Sequence, residues 1–173
     1  MNVAATLEAP SAPPATGGPD TASLIAFLLM GLGMFMAILD IQIVAASLGQ
    51  IQAGLSASAD EIAWVQTSYL IAEVVMIPLS GFLSRALGIR MLFVLSCALF
   101  TAASLVCAMV TTIEGMIAAR AFQGFVGGAM IPTVYAASFM LFGRERQTKV
   151  TVIISFIVTL APTIGPVLGG WLT

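Results

Sequence analysis

Residues 91–113 read MLFVLSCALFTAASLVCAMVTTI, 23 consecutive positions without a charge. A helix needs about 20 mostly apolar residues to cross a bilayer, and this run supplies them. Ala22–Leu39, Ala121–Gly143 and Val150–Thr173 are also charge-free, and Ile62–Ser84 carries only Glu73. Strands of a membrane barrel would be about 10 residues long and would alternate apolar with polar, and none of these runs alternates. Five membrane-spanning helices are therefore predicted, near 23–47, 61–83, 89–110, 114–142 and 149–172.

The composition agrees. Of 173 residues, 60% are hydrophobic and 8% are charged, with a mean hydropathy of +1.08. A soluble domain carries about 25% charge, so this chain could not cover its own surface in water. An all-α integral membrane protein is expected, with the lipid bilayer as its first partner. The net charge of −2 leaves no basic footprint for nucleic acid. Without histidine, imidazole triads and most metal sites fall away. Ser and Thr are plentiful, but no base is placed to activate one. The sequence has no G-x-x-x-x-G-K-[ST] loop, and Lys149 is its only lysine, which disfavours an ATP-driven pump. No enzymatic activity and no bound cofactor are expected.

Boundary signals separate the windows. Asp60-Glu61 reads as an acidic helix start, with Trp64 at headgroup depth. Gly88 sits between the second and third windows. Gly143 followed by Arg144-Glu145-Arg146 suits a helix end with cations near its negative pole. Residues 1–22 are expected to be a flexible cytoplasmic tail, since Met1–Thr21 holds four of the eight prolines. With Glu8, Asp20 and no Lys or Arg, this stretch lacks the basic start of a secretion signal. Cys97 and Cys107 are ten residues apart on one predicted helix. Their Cα atoms would be about 15 Å apart, too far to bridge, so both read as small apolar side chains.

The cations set an orientation. Arg85 and Arg90 fall in one connection and Arg144, Arg146 and Lys149 in another, while Ser47–Asp60 and Val110–Glu114 carry none. Positive connections stay in the cytoplasm, so the N-terminus is expected inside. Arg120 is the exception, within a helix.

Three ionisable residues lie inside the apolar windows: Asp40, Glu73 and Arg120. Each costs about 2.5–3.5 kcal/mol on insertion scales, so such residues usually face a cavity or a partner. With an outer end near Ser47, Asp40 would lie roughly 10 Å down, and Arg120 roughly 9 Å down from Glu114 on the same side. Glu73 would lie about 14 Å past Trp64, near the midplane. These depths permit an Asp40–Arg120 pair. Burial disfavours the charged form of a carboxylate and a neighbouring guanidinium favours it, which is the chemistry of proton exchange. Plainer readings stay open: Asp40 as the mark of an earlier helix end, Glu73 as a packed protonated acid, and Arg120 as a snorkelling or tethering residue.

Glycine and proline add a mechanical pattern. Gly124/Gly128 and Gly165/Gly169 are each four apart, giving close-packing faces; Pro132 lies in the fourth window, and Pro162 and Pro166 in the fifth each remove a helical hydrogen bond. Bent helices with small faces suit a rocking-bundle transporter.

Four segments together resemble a known superfamily. Residues 81–90, GFLSRALGIR, are similar to the loop 2–3 signature of the major facilitator superfamily, G-x-L-[AS]-D-[RK]-x-G-[RK]-[RK]. Residues 117–124, IAARAFQG, resemble its helix-four motif R-x-x-Q-G. Residues 161–170, APTIGPVLGG, resemble the helix-five antiporter motif G-P-x-x-G-G. Residues 39–44, LDIQIV, resemble the helix-one motif L-D-x-T-[IV]-[VA] of fourteen-helix EmrB/QacA-type drug:proton antiporters, with Gln42 in place of Thr. The stretch from WVQTSY at 64–69 to PLSG at 78–81 also looks like that type.

The resemblance implies a partial six-helix N-terminal half of a major facilitator fold over residues 23–173. It implies proton coupling and recognition of cationic drugs at Asp40, assisted by Arg120 with Gln123 and Gly124 of the helix-four motif. Gly81, Arg85, Gly88 and Arg90 would form a cytoplasmic latch, although Arg85 stands where the signature has an acid, so an Asp–Arg latch pair is not expected. Pro162, Gly165, Pro166, Gly169 and Gly170 would form the bending, leak-sealing segment of an exporter. Glu73 lies outside the shared motifs and would add a second protonatable site or help to bind cationic substrates.

The function implied is proton-coupled multidrug efflux of hydrophobic or cationic small molecules across the inner membrane, with the proton gradient as energy source. A membrane-fusion adaptor and an outer-membrane channel are possible partners of such pumps. Superfamily members have twelve or fourteen helices, so a fragment that does not transport alone is expected. An uptake carrier of the same fold and a non-transporting subunit or remnant are the alternatives.

Overall fold

The computed structural model describes residues 21–142 and 144–172. The tail expected over residues 1–22 lies almost wholly outside them, as does Gly143. Six helices follow in order: α1 (Thr21–Leu55), α2 (Ala59–Leu87), α3 (Ile89–Met109), α4 (Ile113–Gly127), α5 (Met130–Leu141) and α6 (Arg144–Leu172). With α4 and α5 taken as one span, five segments are long and apolar enough to cross a membrane.

The first helix does not stop near Ser47 but continues to Leu55. The extension is amphipathic: Leu48, Ile51 and Leu55 pack against Ile62, Val65 and Ile113. Burial of that stripe extends the helix beyond the purely apolar run. It ends with Ser56 in the left-handed region (φ 51°) and the Ala57 N–H donating to the Gln52 carbonyl at 3.0 Å, a helix-terminating bond that satisfies a free carbonyl. Helix α2 then opens on Ser58. Its N–H donates to the Glu61 carboxylate at 2.8 Å, while its hydroxyl accepts from the Glu61 N–H at 3.3 Å. Asp60 and Glu61 do lie in the first turn, and Ser58 supplies the cap.

Helices α2 and α3 are separated by Gly88 alone, whose φ of 83° favours a residue without Cβ. The expected connection over 81–90 is therefore mostly helix, with α2 running to Leu87. The cations at Arg144 and Arg146 likewise do not close a helix but open α6. Gln147 ties that start to α5 by donating from Nε2 to the Ser138 hydroxyl at 3.1 Å.

The fourth span is in two pieces, where a single helix over 114–142 is predicted. Proline has no N–H, so Pro132 cannot donate to the carbonyl of Gly128, four residues earlier. The regular helix breaks at Gly128 and Ala129, yet both keep right-handed helical torsions, −62°/−15° and −80°/−19°. The chain therefore keeps its course through the break.

Packing is set by glycine faces. Gly124 and Gly128 lie against the backbone of Tyr69 and Glu73, pressing α4 onto α2. Gly165 and Gly169 lie against Gln42 and the Ile43–Ala46 turn, pressing α6 onto α1. A Cβ on any of these glycines would meet the facing helix, so the two four-residue spacings are close-packing faces as expected. Met34, Tyr69, Met130, Val134, Ile154 and Ala161 fill the interior.

Candidate functional site

The α2–α4 contact places the site. With Gly124 against the Tyr69 carbonyl, α4 comes close enough for the Arg120 guanidinium to lie 4.3 Å from the centre of the Tyr69 ring. A cation over an aromatic face in a dry setting gains on the order of 2 kcal/mol. Arg120 is 1% exposed, and its charge is met from across the bundle.

That charge is met by Asp40 on α1. Arg120 Nη1 donates to Asp40 Oδ2 at 2.6 Å and to Gln123 Oε1 at 2.6 Å. Gln123 Nε2 donates to Asp40 Oδ1 at 3.2 Å and to the Ser104 hydroxyl on α3 at 2.7 Å. The Cys107 thiol points at Gln123 Oε1 from 3.6 Å. One amide thus uses both donor hydrogens and its acceptor, and both Asp40 oxygens are engaged. Asp40 keeps 23% exposure while the arginine is sealed. A buried arginine holding a partly accessible acid can keep the acid ionised or release it to take a proton.

The Asp40–Arg120 pair is the one ion pair among the described residues. Asp40 is not at a helix end. Fifteen residues of α1 follow it, about 22 Å of helix rather than the roughly 10 Å expected. The depth changes because α1 projects past the purely apolar run. Glu73 is half-buried on α2, four residues after Tyr69, with no hydrogen bond from the described residues to its carboxyl. The structure does not bring it into contact with Asp40 or Arg120.

The other motif positions stand apart. Gly81, Arg85, Gly88 and Arg90 are exposed at the α2–α3 turn. Pro162, Pro166 and Gly170 are exposed on α6, while Gly165 and Gly169 pack on the turns of α1 that follow Asp40. The helix-five motif and the helix-one acid are therefore neighbours through backbone packing.

Tyr69, Ser104 and Cys107 complete the site and carry no sequence signal as a group. Tyrosine, serine and cysteine are ordinary residues in apolar helices, and only the fold shows which of them face Arg120 and Gln123. Cys107 is thus a contact of the polar cluster as well as a small packing residue.

An apolar exterior of Leu, Ile, Val and Phe around a buried ion pair defines a multi-pass membrane protein. The chain belongs to the Major Facilitator Superfamily, whose family pattern it matches over residues 24–173. It is 49% identical over 147 residues to the colistin resistance protein EmrB of Acinetobacter baumannii, covering 85% of this chain and 29% of that protein. It is 35% identical over 159 residues to the probable multidrug resistance protein EmrY of Escherichia coli, covering 92% and 30%. Against the multidrug export protein EmrB of Haemophilus influenzae it is 32% identical over 161 residues, covering 93% and 31%. The chain therefore spans about three-tenths of the length of these relatives.

Proposed function

We propose that this chain forms the proton-coupling part of a multidrug exporter that moves hydrophobic or cationic small molecules out across the inner membrane. The observation that carries the reading is the Asp40–Arg120 pair, sealed on the arginine side and partly open on the acid side. When Asp40 is ionised it holds Arg120 and Gln123 together. Protonation removes its negative charge, weakens that hold and frees the helix-one acid to move with α1. A cationic drug favours the ionised acid, so drug entry and proton departure are linked through one carboxyl. Energy would come from the proton gradient, with no bound cofactor.

The cation-bearing turn at Arg85 and Arg90 and the start of α6 lie on the cytoplasmic side in this reading, which puts the N-terminus inside. A membrane-fusion adaptor and an outer-membrane channel would receive the exported compound. The exposed turn at Gly81, Arg85, Gly88 and Arg90 acts as the inner latch, and the Gly165/Gly169 face of α6 as the seal beside α1.

A chimaera tests the proposal. Residues 24–173 replace the matching segment of the Acinetobacter baumannii relative, and everted vesicles are assayed for ethidium uptake driven by a proton gradient. Uptake is expected with Asp40 and is expected to fall at least tenfold with Asp40→Asn. Unchanged proton-driven uptake in the variant rejects Asp40 as the coupling acid.

A further inference from the structure

Three buried polar groups beside the ion pair have nothing to bond to. Arg120 uses only Nη1, so its Nε and Nη2 donors are buried without a partner, and so is the Tyr69 hydroxyl. A buried donor left unmade costs about 1–3 kcal/mol, and more when it is charged. The Glu73 carboxyl, half-buried in a membrane-spanning helix, also has no hydrogen bond from the described residues. Unfilled cationic donors and an unfilled acid therefore occur together.

They are also close in the fold. Tyr69 and Glu73 are four residues apart on α2 and so lie on one helix face. Their backbones pack on Gly124 and Gly128 of the helix pair α4–α5, below Arg120. The Tyr69 ring lies under the guanidinium, and a Cβ on Gly127 would come within 3.3 Å of its hydroxyl.

We propose that Glu73 is a second, exchangeable partner for Arg120, so that Asp40 and Glu73 share one guanidinium and one proton. In the paired state, which the structure shows, Arg120 holds Asp40, and the shared proton is assigned to Glu73. In the exchanged state Arg120 turns its Nε–Nη2 edge to an ionised Glu73, and Asp40 holds the proton. One cation cannot neutralise two acids, so whichever acid Arg120 leaves takes the proton that the other gives up. Tyr69 keeps the guanidinium plane in both states, and its hydroxyl can accept from one side and donate to the other. Of the titratable groups on neighbouring helices, Asp40 of α1 bonds Arg120, Tyr69 of α2 lies against its guanidinium, and Cys107 of α3 contacts its partner Gln123, while Glu73 follows Tyr69 on α2 by four residues. Helix α5 has no charged residue, and the charges of α6 are confined to residues 144–149 at its start. The exchange rests on the proton-coupling reading of Asp40 and supplies the place to which the arginine goes.

The full 173-residue chain in lipid, labelled on arginine nitrogens and glutamate and aspartate carboxyl carbons, tests this by solid-state NMR. Asp40 is expected to show contact-range dipolar coupling to Arg120 in the wild type. In Asp40→Asn that contact is expected to pass to a glutamate, and to vanish in the Asp40→Asn/Glu73→Gln double variant. A guanidinium uncoupled from Glu73 in Asp40→Asn overturns the exchange. Thermal unfolding gives a second reading. Asp40→Asn should be tolerated while Glu73 remains, and the double variant should melt lower than the two single shifts predict together. An Asp40→Asn chain that fails to fold, or strictly additive shifts, also overturns it. Loss of proton-driven uptake in the Asp40→Asn chimaera is read independently, so either idea can fail while the other stands.

Discussion

Arg120 has no route to water, and its charge persists because Asp40, Gln123 and the face of Tyr69 surround it. Removing one member of a buried pair leaves the other uncompensated and costs about 3–5 kcal/mol. Arg120→Ala is therefore expected to lower the melting temperature of the detergent-solubilised chain substantially. Arg120→Lys should fall between it and the wild type, because an ammonium keeps the charge but loses the guanidinium plane that lies over Tyr69. A melting temperature unmoved by Arg120→Ala would mean the pair adds nothing to the fold. Asp40 and Arg120 were legible as candidates because charges stand out in apolar runs. Tyr69, Ser104 and Cys107 were not, because their role depends on which face of each helix turns inward.

At the scale of the helices, four glycines decide how closely the spans approach. Gly124 lies on the Tyr69 carbonyl, while Gly170 has open space where a Cβ would point. Gly124→Val should force α4 away from α2, lowering stability by about 1–3 kcal/mol as overpacking does. The same move would lift Arg120 from the Tyr69 ring, so tyrosine fluorescence should shift as well. Gly170→Ala should stay within about 0.5 kcal/mol of the wild type. Equal melting temperatures for the two variants would contradict the packing described. The spacing of these glycines was visible in the sequence, but their partners Tyr69, Glu73, Gln42 and Ala46 were not. Helix ends were the least legible feature. The α1 extension to Leu55 is stabilised by contacts with Ile62 and Ile113, residues of later helices. The break at Gly128 and Ala129 follows from Pro132, whose local chemistry was legible but whose effect on the span was not.

At the scale of the whole chain, the polar cluster around Arg120 and Gln123 is inside and large apolar side chains are outside, including Leu70, Val74, Phe139, Phe156 and Trp171. That arrangement suits lipid. Alternating access in this family of folds works by moving one helical half against another around a central site, and the chain spans about three-tenths of its relatives. Proteoliposomes holding only these 173 residues are therefore expected to show no proton-driven ethidium accumulation above empty liposomes. Accumulation that depends on Asp40 would show that the five spans suffice.

By itself, the sequence determined the environment, the number of spans and the identity of the two opposite charges that lipid would not tolerate alone. Those follow from local composition, because transfer into hydrocarbon acts on each residue where it stands. Tertiary structure alone decided that Gln123 links the pair to Ser104, that Tyr69 lies beneath the guanidinium and that the Tyr69 and Glu73 backbones pack on Gly124 and Gly128. Those facts depend on how close and at what rotation helices distant in sequence meet, and that is set by glycine contacts across the bundle rather than by any run of neighbouring residues.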